Sequence, residues 1–398
     1  MEIQNGTGPV MAKGRRPHKR PEWDDLLVLA LVFAPMTGLR IWKIGPGEFF
    51  ALLWALPFLP TRKLKKSPIL RFFAVFLGSM AVGSVIGLVV ARDELILSEW
   101  STWLYLMIIS LGLYRGLSLN TPERNEQLLL RFSTASAVWN ILLFLYSYTG
   151  ARSIFGAPLW YFYRYSAGGT NPHQIALVVC SLILVFTREL IYRRKMLWNI
   201  LLIIGLVAIL SATYSSTALM ATAAGVMVSV VVVINRNAFG SRRHNGAILV
   251  ELLLGLLVLV VFYQILYQYF YDWVASDSNG LGRFQIFSRI GKTFEKSPLF
   301  GLGPGTHSRD ENGYLIEYHN TYLEVLAASG LVGVYALLAF TIRLLRKVSV
   351  DTTYLPVIVA LYTFGLAGFG MRRLFYWGMI TFIFVIAEQR KAKEILNP

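Results

Sequence analysis

The chain has 398 residues, 55% of them apolar and only 15% charged, with a mean hydropathy of +0.54 and a formal charge of +16. A soluble domain carries about 25% charged residues, so this composition excludes a soluble enzyme, a disordered chain and a nucleic-acid-binding domain. The expected fold class is an all-α polytopic membrane protein, in which the position of each charge matters more than the total.

Residues 1–24 are polar and basic and carry no secretory signal pattern, so they are expected to form a cytoplasmic tail. Twelve apolar spans follow, at 25–41, 46–60, 69–90, 99–115, 129–148, 172–189, 197–212, 216–235, 248–266, 319–342, 353–370 and 373–388. About 20 residues are needed to cross ~30 Å of hydrocarbon as a helix. The second span is short and bounded by Pro46, Pro57 and Pro60, which suits a tilted or re-entrant segment. The connecting segments alternate in basic content: one set holds 26 of the 38 Lys and Arg residues, the other 12. The richer set belongs in the cytoplasm, which puts both termini of a multi-pass protein inside. Topology thus accounts for much of the +16 without an acidic partner. The one cysteine, Cys180, lies within an apolar run and reads as a small buried hydrophobe.

The organisation expected is a tail (1–24), spans one to nine (25–266), one large periplasmic loop region (267–318), spans ten to twelve (319–388) and a cytoplasmic tail (389–398). Two outer segments stand apart. Ala151–Asn171 contains Tyr161-Phe162-Tyr163-Arg164-Tyr165, a ring density that fits an interfacial aromatic belt. In the long loop, Phe284, Phe287, Ile290 and Phe294 recur at helical spacing beside Arg283, Arg289, Lys292 and Lys296. That pattern predicts an amphipathic helix lying at the membrane surface.

The densest chemical signal runs from Pro298 to Gly333. It opens with Pro-Leu-Phe-Gly-Leu-Gly-Pro-Gly-Thr-His, where Gly301, Gly303 and Gly305 allow sharp turns and close backbone approach to a ligand. Tyr318-His319-Asn320-Thr321-Tyr322-Leu323-Glu324 follows, then Gly330-Leu-Val-Gly333. His319 is predicted where the loop meets the tenth span, in reach of both water and headgroups, as general acid–base chemistry requires. A lone histidine there would equally serve as a cap or an interfacial residue.

His-Asn, nine residues, then Gly-x-x-Gly resembles the signature of the bacterial O-antigen ligase/polymerase family, membrane glycosyltransferases that act on undecaprenyl-pyrophosphate-linked glycans. The preceding Pro-Leu-Phe-Gly-Leu-Gly-Pro-Gly-Thr and Gly282-Arg283-Phe284 look like that family's approach to its histidine. The resemblance implies inverting, metal-independent transfer at the periplasmic face with no cofactor. It makes His319 the general-base candidate and implies that outer arginines hold the pyrophosphate, with Arg283 matching one of them and Arg289 sharing the role. Guanidinium forks suit that task because negative charge grows on the departing pyrophosphate. The competing assignment for both is headgroup snorkelling.

The chain departs from the family at the start of the eighth span, where Ser-Arg is common but this sequence reads Thr213-Tyr214-Ser215-Ser216-Thr217. Arg164, Arg372 or Arg373 is expected to replace the missing arginine; the adjacent Arg372-Arg373 pair is costly to place without an anionic partner. Glu324 either orients a ligand group or bridges to an outer arginine. His307 and His319 have no nearby cysteine or carboxylate set, which argues against zinc, and no Asp-x-Asp or Walker motif is present. The first reading is therefore an O-antigen ligase moving a finished glycan from undecaprenyl pyrophosphate onto an acceptor sugar of lipid A core. The alternative is a polymerase extending carrier-linked repeat units of O-antigen or exopolysaccharide. A lipid-linked oligosaccharide flippase fits less well because the midspan regions are nearly charge-free, and a peptidoglycan polymerase fits the histidine motif poorly. Substrates and membrane lipids are the partners implied, and nucleic acid is not.

Overall fold

The computed structural model describes residues 21–41, 43–59, 67–90, 95–193, 196–239, 287, 289–305, 308–309, 315–316 and 318–396. Among these residues the protein is a helical bundle: α1 (Pro21–Val32), α2 (Pro46–Ala55), α3 (Pro68–Val90), α4 (Leu95–Ser118), α5 (Pro122–Ser147), α6 (Pro172–Arg193), α7 (Met196–Ala212), α8 (Ser216–Phe239), α9 (Ile290–Lys296), α10 (Thr321–Val348), α11 (Leu355–Phe364) and α12 (Leu374–Leu396). Six of them are long and apolar enough to cross a membrane: Pro68–Val90, Ile96–Ser118, Pro122–Ser147, Pro172–Tyr192, Ser216–Asn235 and Thr321–Val348. The protein is a multi-pass membrane protein. The predicted span at 248–266 lies outside the described residues.

Several predicted spans change length for identifiable reasons. The first was expected to reach residue 41, yet α1 stops at Val32 because Pro35 cannot continue a helix and restrains Ala34 as well. α2 and α11 have ten residues each, about 15 Å of rise, half the hydrocarbon thickness. α11 was predicted to run to residue 370, but a turn begins at Gly365. α5 instead starts seven residues before its predicted span, with the Thr121 side chain accepting from the Arg124 N–H and Pro122 in the first turn. Its extra turns are charged, and partners offset those charges: Arg124 with Asp24, Glu126 with Arg390 at 2.5 Å, and Glu123 with Lys393 at 2.6 Å.

The core is aromatic between α3, α4, α10 and α12. Phe73 and Trp377 lie 4.8 Å apart between centroids, Phe76 and Trp103 4.9 Å, and Phe72 and Phe340 5.3 Å. At one end of the bundle sits a buried ion network. Glu126 on α5 accepts from Arg188 of α6 at 3.0 Å, from Arg390 of α12 at 2.5 Å, and from the Tyr354 hydroxyl at 2.7 Å. Arg188 also reaches Glu189 and Thr353 and lies over the Tyr354 ring, while Arg390 pairs with Asp351. This network ties α5, α6, α11 and α12 together at the end remote from His319.

At the His319 end, three two-stranded hairpins interrupt the helices: β1 (Ser153–Ile154) with β2 (Ala157–Pro158), β3 (Trp160–Tyr161) with β4 (Arg164–Tyr165), and β5 (Ser308–Arg309) with β6 (Leu315–Ile316). The first two were not expected in a segment read only as an aromatic belt. They are pinned by the α1–α2 connection, where the Gly38 N–H donates to the Gly168 carbonyl at 2.9 Å and the Thr170 N–H to the Thr37 hydroxyl at 3.1 Å.

Candidate active site

His319 is half-buried and immediately precedes α10. Both neighbours are fixed by capping bonds. The Asn320 side chain accepts from the N–H groups of Tyr322 (2.9 Å) and Leu323 (3.0 Å), so Asn320 is the helix N-cap. The Tyr318 N–H donates to the Glu324 carboxylate at 2.7 Å, and the Tyr318 hydroxyl meets Thr293 of α9 at 2.7 Å. Burial pushes the Tyr318 hydroxyl above the ordinary tyrosine range, with the Thr293 hydrogen bond and the Arg289 charge opposing the shift. Held from both sides, His319 adopts φ +50°. A non-glycine residue in the left-handed region costs about 1–2 kcal/mol, and such strain concentrates at functional positions. Buried Glu324, anticipated either to orient a ligand group or to bridge to an outer arginine, is seen in a third role, accepting from the turn that presents the histidine.

The glycine motif has a definite mechanical role. α10 kinks at Gly330, whose φ of 62° and ψ of −161° lie outside the helical region. In a regular helix the Leu331 and Val332 N–H groups would bond the carbonyls of Ala327 and Ala328. Here those carbonyls accept instead from Leu302 (2.8 Å) and Gly303 (3.0 Å), while Leu331 and Val332 donate to Pro298 (2.9 Å) and Leu299 (3.1 Å). The Pro298–Gly303 segment thus replaces one missing turn of α10 with four bonds of its own, so irregular backbone is satisfied within protein. The close approach that the loop glycines permit is to helices: a Cβ on Gly301 would lie 2.5 Å from the Ala327 carbonyl oxygen. On the other side the loop rests on α3, with the Leu302 carbonyl oxygen 2.0 Å from where a Cβ on Gly87 would sit. Gly333 is buried one turn beyond the kink, near Phe76, and Gly305 has φ 152°.

A second turn, Gly365–Gly370, joins the histidine to the rest of this end. Asn320 donates to the Leu366 carbonyl at 2.6 Å, and Thr321 bonds the backbone of Gly365, Gly368 and Gly370. The Thr217 hydroxyl, in the first turn of α8, donates to the Ala367 carbonyl at 3.4 Å. That brings in the Thr213–Thr217 segment. Arg164 Nε donates to the Thr213 carbonyl at 2.9 Å, so this arginine is seated on that turn. Beside it, His173 Nδ1 lies 3.0 Å from the Ser215 hydroxyl. The sequence gives His173 no role, and the Gly365–Gly370 turn was missed; the three glycines at 365, 368 and 370 were its available signal.

The remaining candidates separate. Arg289 precedes α9 and acts electrostatically on Tyr318, next to His319. Arg372 finds the anionic partner that the sequence demanded, pairing with Glu99, which also meets Lys43 at 2.7 Å. Arg373 lies within electrostatic reach of Tyr105, as do Arg40 and Glu48. Arg283 and His307 lie outside the described residues, and with them the start of the amphipathic helix predicted from Arg283 to Lys296; its second half is present as α9. Among the described residues no three His, Cys, Asp or Glu side chains gather in an arrangement able to hold a metal ion.

Residues 200–340 match the family model described as O-antigen ligase. This region is similar to the O-antigen ligase family. The ligase-family region takes in α7, α8, the Pro298–Gly303 segment, His319, Asn320, Glu324 and the Gly330 kink, and therefore the whole motif on which the sequence resemblance rested. Arg164, His173, Arg372 and Arg373 fall outside it yet lie at the same end of the bundle. No curated protein and no solved structure shows significant similarity to the chain.

Proposed function

We propose that the protein is an O-antigen ligase-like glycosyltransferase, moving a glycan from undecaprenyl pyrophosphate onto an acceptor sugar at the periplasmic face of the inner membrane. The observation that carries this reading is His319, held at φ +50° between two capping bonds inside the ligase-family region. His319 takes the proton of the acceptor hydroxyl as that oxygen bonds the anomeric carbon. The bond from that carbon to the pyrophosphate oxygen breaks, and its electron pair leaves with the carrier. Attack opposite the leaving group inverts the anomeric centre. Arg164 holds the pyrophosphate from the Thr213–Thr217 turn, with Arg289 near Tyr318 and Arg372–Arg373 beyond the Gly365–Gly370 turn adding positive charge. Arg283 shares that role by the family resemblance. Asn320 and Glu324 act through His319 by fixing its turn.

The test is the size of the glycan left on the carrier in cells lacking the gene, together with His319→Ala. Long polymer on the carrier is expected, because chains are built and not delivered. Single repeat units there would make the protein a polymerase, and an unchanged carrier pool would remove the assignment. A well-expressed His319→Ala protein that still produced near-normal product would remove the histidine from the chemistry.

A further inference from the structure

Non-glycine residues at positive φ occur at five described positions: Phe155, Phe162, Ala167, Tyr214 and His319. Three of them are aromatic residues at the protein surface, with Phe155 80% exposed, Phe162 83% and Tyr214 65%. Phe155 and Phe162 occupy the two-residue turns of the β1–β2 and β3–β4 hairpins, positions where Asn or Gly is the ordinary choice. The chain therefore accepts both left-handed backbone strain and exposed apolar surface to hold these rings outward, a combination that points to use. The neighbouring rings alternate. Trp160 and Tyr165 turn inward to Phe144 and Tyr148, whereas Tyr161 and Tyr163 turn outward. The outward rings form two edge-on pairs, joined into a strip by the consecutive residues Phe162 and Tyr163: Tyr161 meets Phe162 at 4.9 Å, and Tyr163 meets Tyr214 at 5.3 Å. Tyr214 belongs to the turn that seats Arg164, so the strip ends at the proposed pyrophosphate clamp.

We infer that Phe155, Tyr161, Phe162, Tyr163 and Tyr214 form a stacking platform for the pyranose rings of the carrier-linked donor glycan. The inference rests on the glycosyl-transfer reading for its ligand. A pyranose offers an apolar C–H face edged by hydroxyls, which suits phenyl faces interleaved with tyrosine hydroxyls. The first sugar of the donor is bonded directly to the pyrophosphate, so a clamp at Arg164 delivers the following sugars to the adjoining strip. A belt that merely anchors rings in the headgroup layer needs no left-handed backbone to do so.

The variant that isolates the rings is Phe155→Asn/Phe162→Asn/Tyr214→Asn, because asparagine is better tolerated than an aromatic residue at positive φ and should keep both hairpins. Full-length protein in nanodiscs would be titrated with carrier-linked glycan extracted from the producing cells, and separately with undecaprenyl pyrophosphate alone. The triple variant should bind the glycan-bearing carrier at least about tenfold more weakly, with affinity for the bare carrier unchanged. Equal affinity of wild type and variant for the glycan-bearing carrier would overturn the platform, and would leave the glycosyl-transfer reading intact if wild type still transfers. Ring-dependent binding in a wild-type protein that transfers no sugar would overturn that reading and leave the platform standing. A Phe162→Trp reporter should be shielded from acrylamide by the glycan. Quenching of that tryptophan by brominated lipid, unaffected by glycan, would assign the strip to the bilayer and overturn the platform.

Discussion

Replacing Gly330 by alanine tests whether the Pro298–Gly303 segment and the α10 kink act as one unit. A Cβ at this position would sit 2.3 Å from the Leu299 carbonyl carbon and 2.5 Å from the Phe300 nitrogen, backbone atoms that have no rotamer by which to yield. The loop must withdraw, and its four bonds to α10 go with it. If the loop groups stay unpaired and the kink persists, the loss is about 4 kcal/mol at ~1 kcal/mol per bond. If α10 straightens, two helical bonds are regained and the loss falls to about 2 kcal/mol. At 1.36 kcal/mol per decade, the amides of Leu302 and Gly303 should exchange with deuterium between about 30-fold and about a thousandfold faster. Transfer should fall in parallel, because the loop leads back to His319. Unchanged protection of Leu302 and Gly303 in a folded Gly330→Ala protein would refute the exchange of partners between loop and helix.

Glu324→Gln retains an oxygen for the Tyr318 N–H and should keep most of the transfer rate, whereas Glu324→Ala should lose it; equal loss in both would instead implicate the carboxylate charge. His319→Gly removes the imidazole but relieves the left-handed backbone, so it should be inactive yet melt no lower than wild type in detergent, with a gain of about 1 kcal/mol. A lower melting temperature would show that the imidazole contributes to folding. Glu126→Ala leaves Arg188 and Arg390 without their shared carboxylate in a buried setting and should cost about 3–5 kcal/mol, read by thermal unfolding. A change of less than ~1 kcal/mol would mean that water already screens the network.

Much of this architecture could be read from residue order because the bilayer demands long apolar helices, and those are local patterns. α3, α4, α6, α7, α8 and α10 fall close to where hydropathy puts them. The misreadings share a cause. The first turns of α5 carry charges that look like loop until Asp24, Arg390 and Lys393 are brought from distant segments to pair with them. The Phe162-Tyr163 turn lacks the usual turn residues and the Phe155-Gly156 turn has only its glycine, so the hairpins left little mark in the sequence. At the site, His-Asn with Gly-x-x-Gly was legible as spacing, but the purpose of Gly330 was not. Its partner, the Pro298–Gly303 backbone, was marked by Gly301 and Gly303 as a segment of close approach, but the sequence did not say that it approaches α10. Arg164 was one of three candidates for a lost arginine, and only tertiary contact set it on the Thr213 carbonyl.

The seat of the Pro298–Gly303 segment on α3 has a consequence for biogenesis. Gly83 and Gly87 are left bare so that the backbone from Phe300 to Gly303 can lie against them, yet that backbone is synthesised more than 200 residues later. At about 5–20 residues per second, α3 waits on the order of 10–40 s with its small-residue stripe unfilled. During that interval the stripe suits any other helix able to approach closely. Completion of the ribosome's work on α10, rather than insertion of α3 itself, is what commits this part of the bundle to its final arrangement.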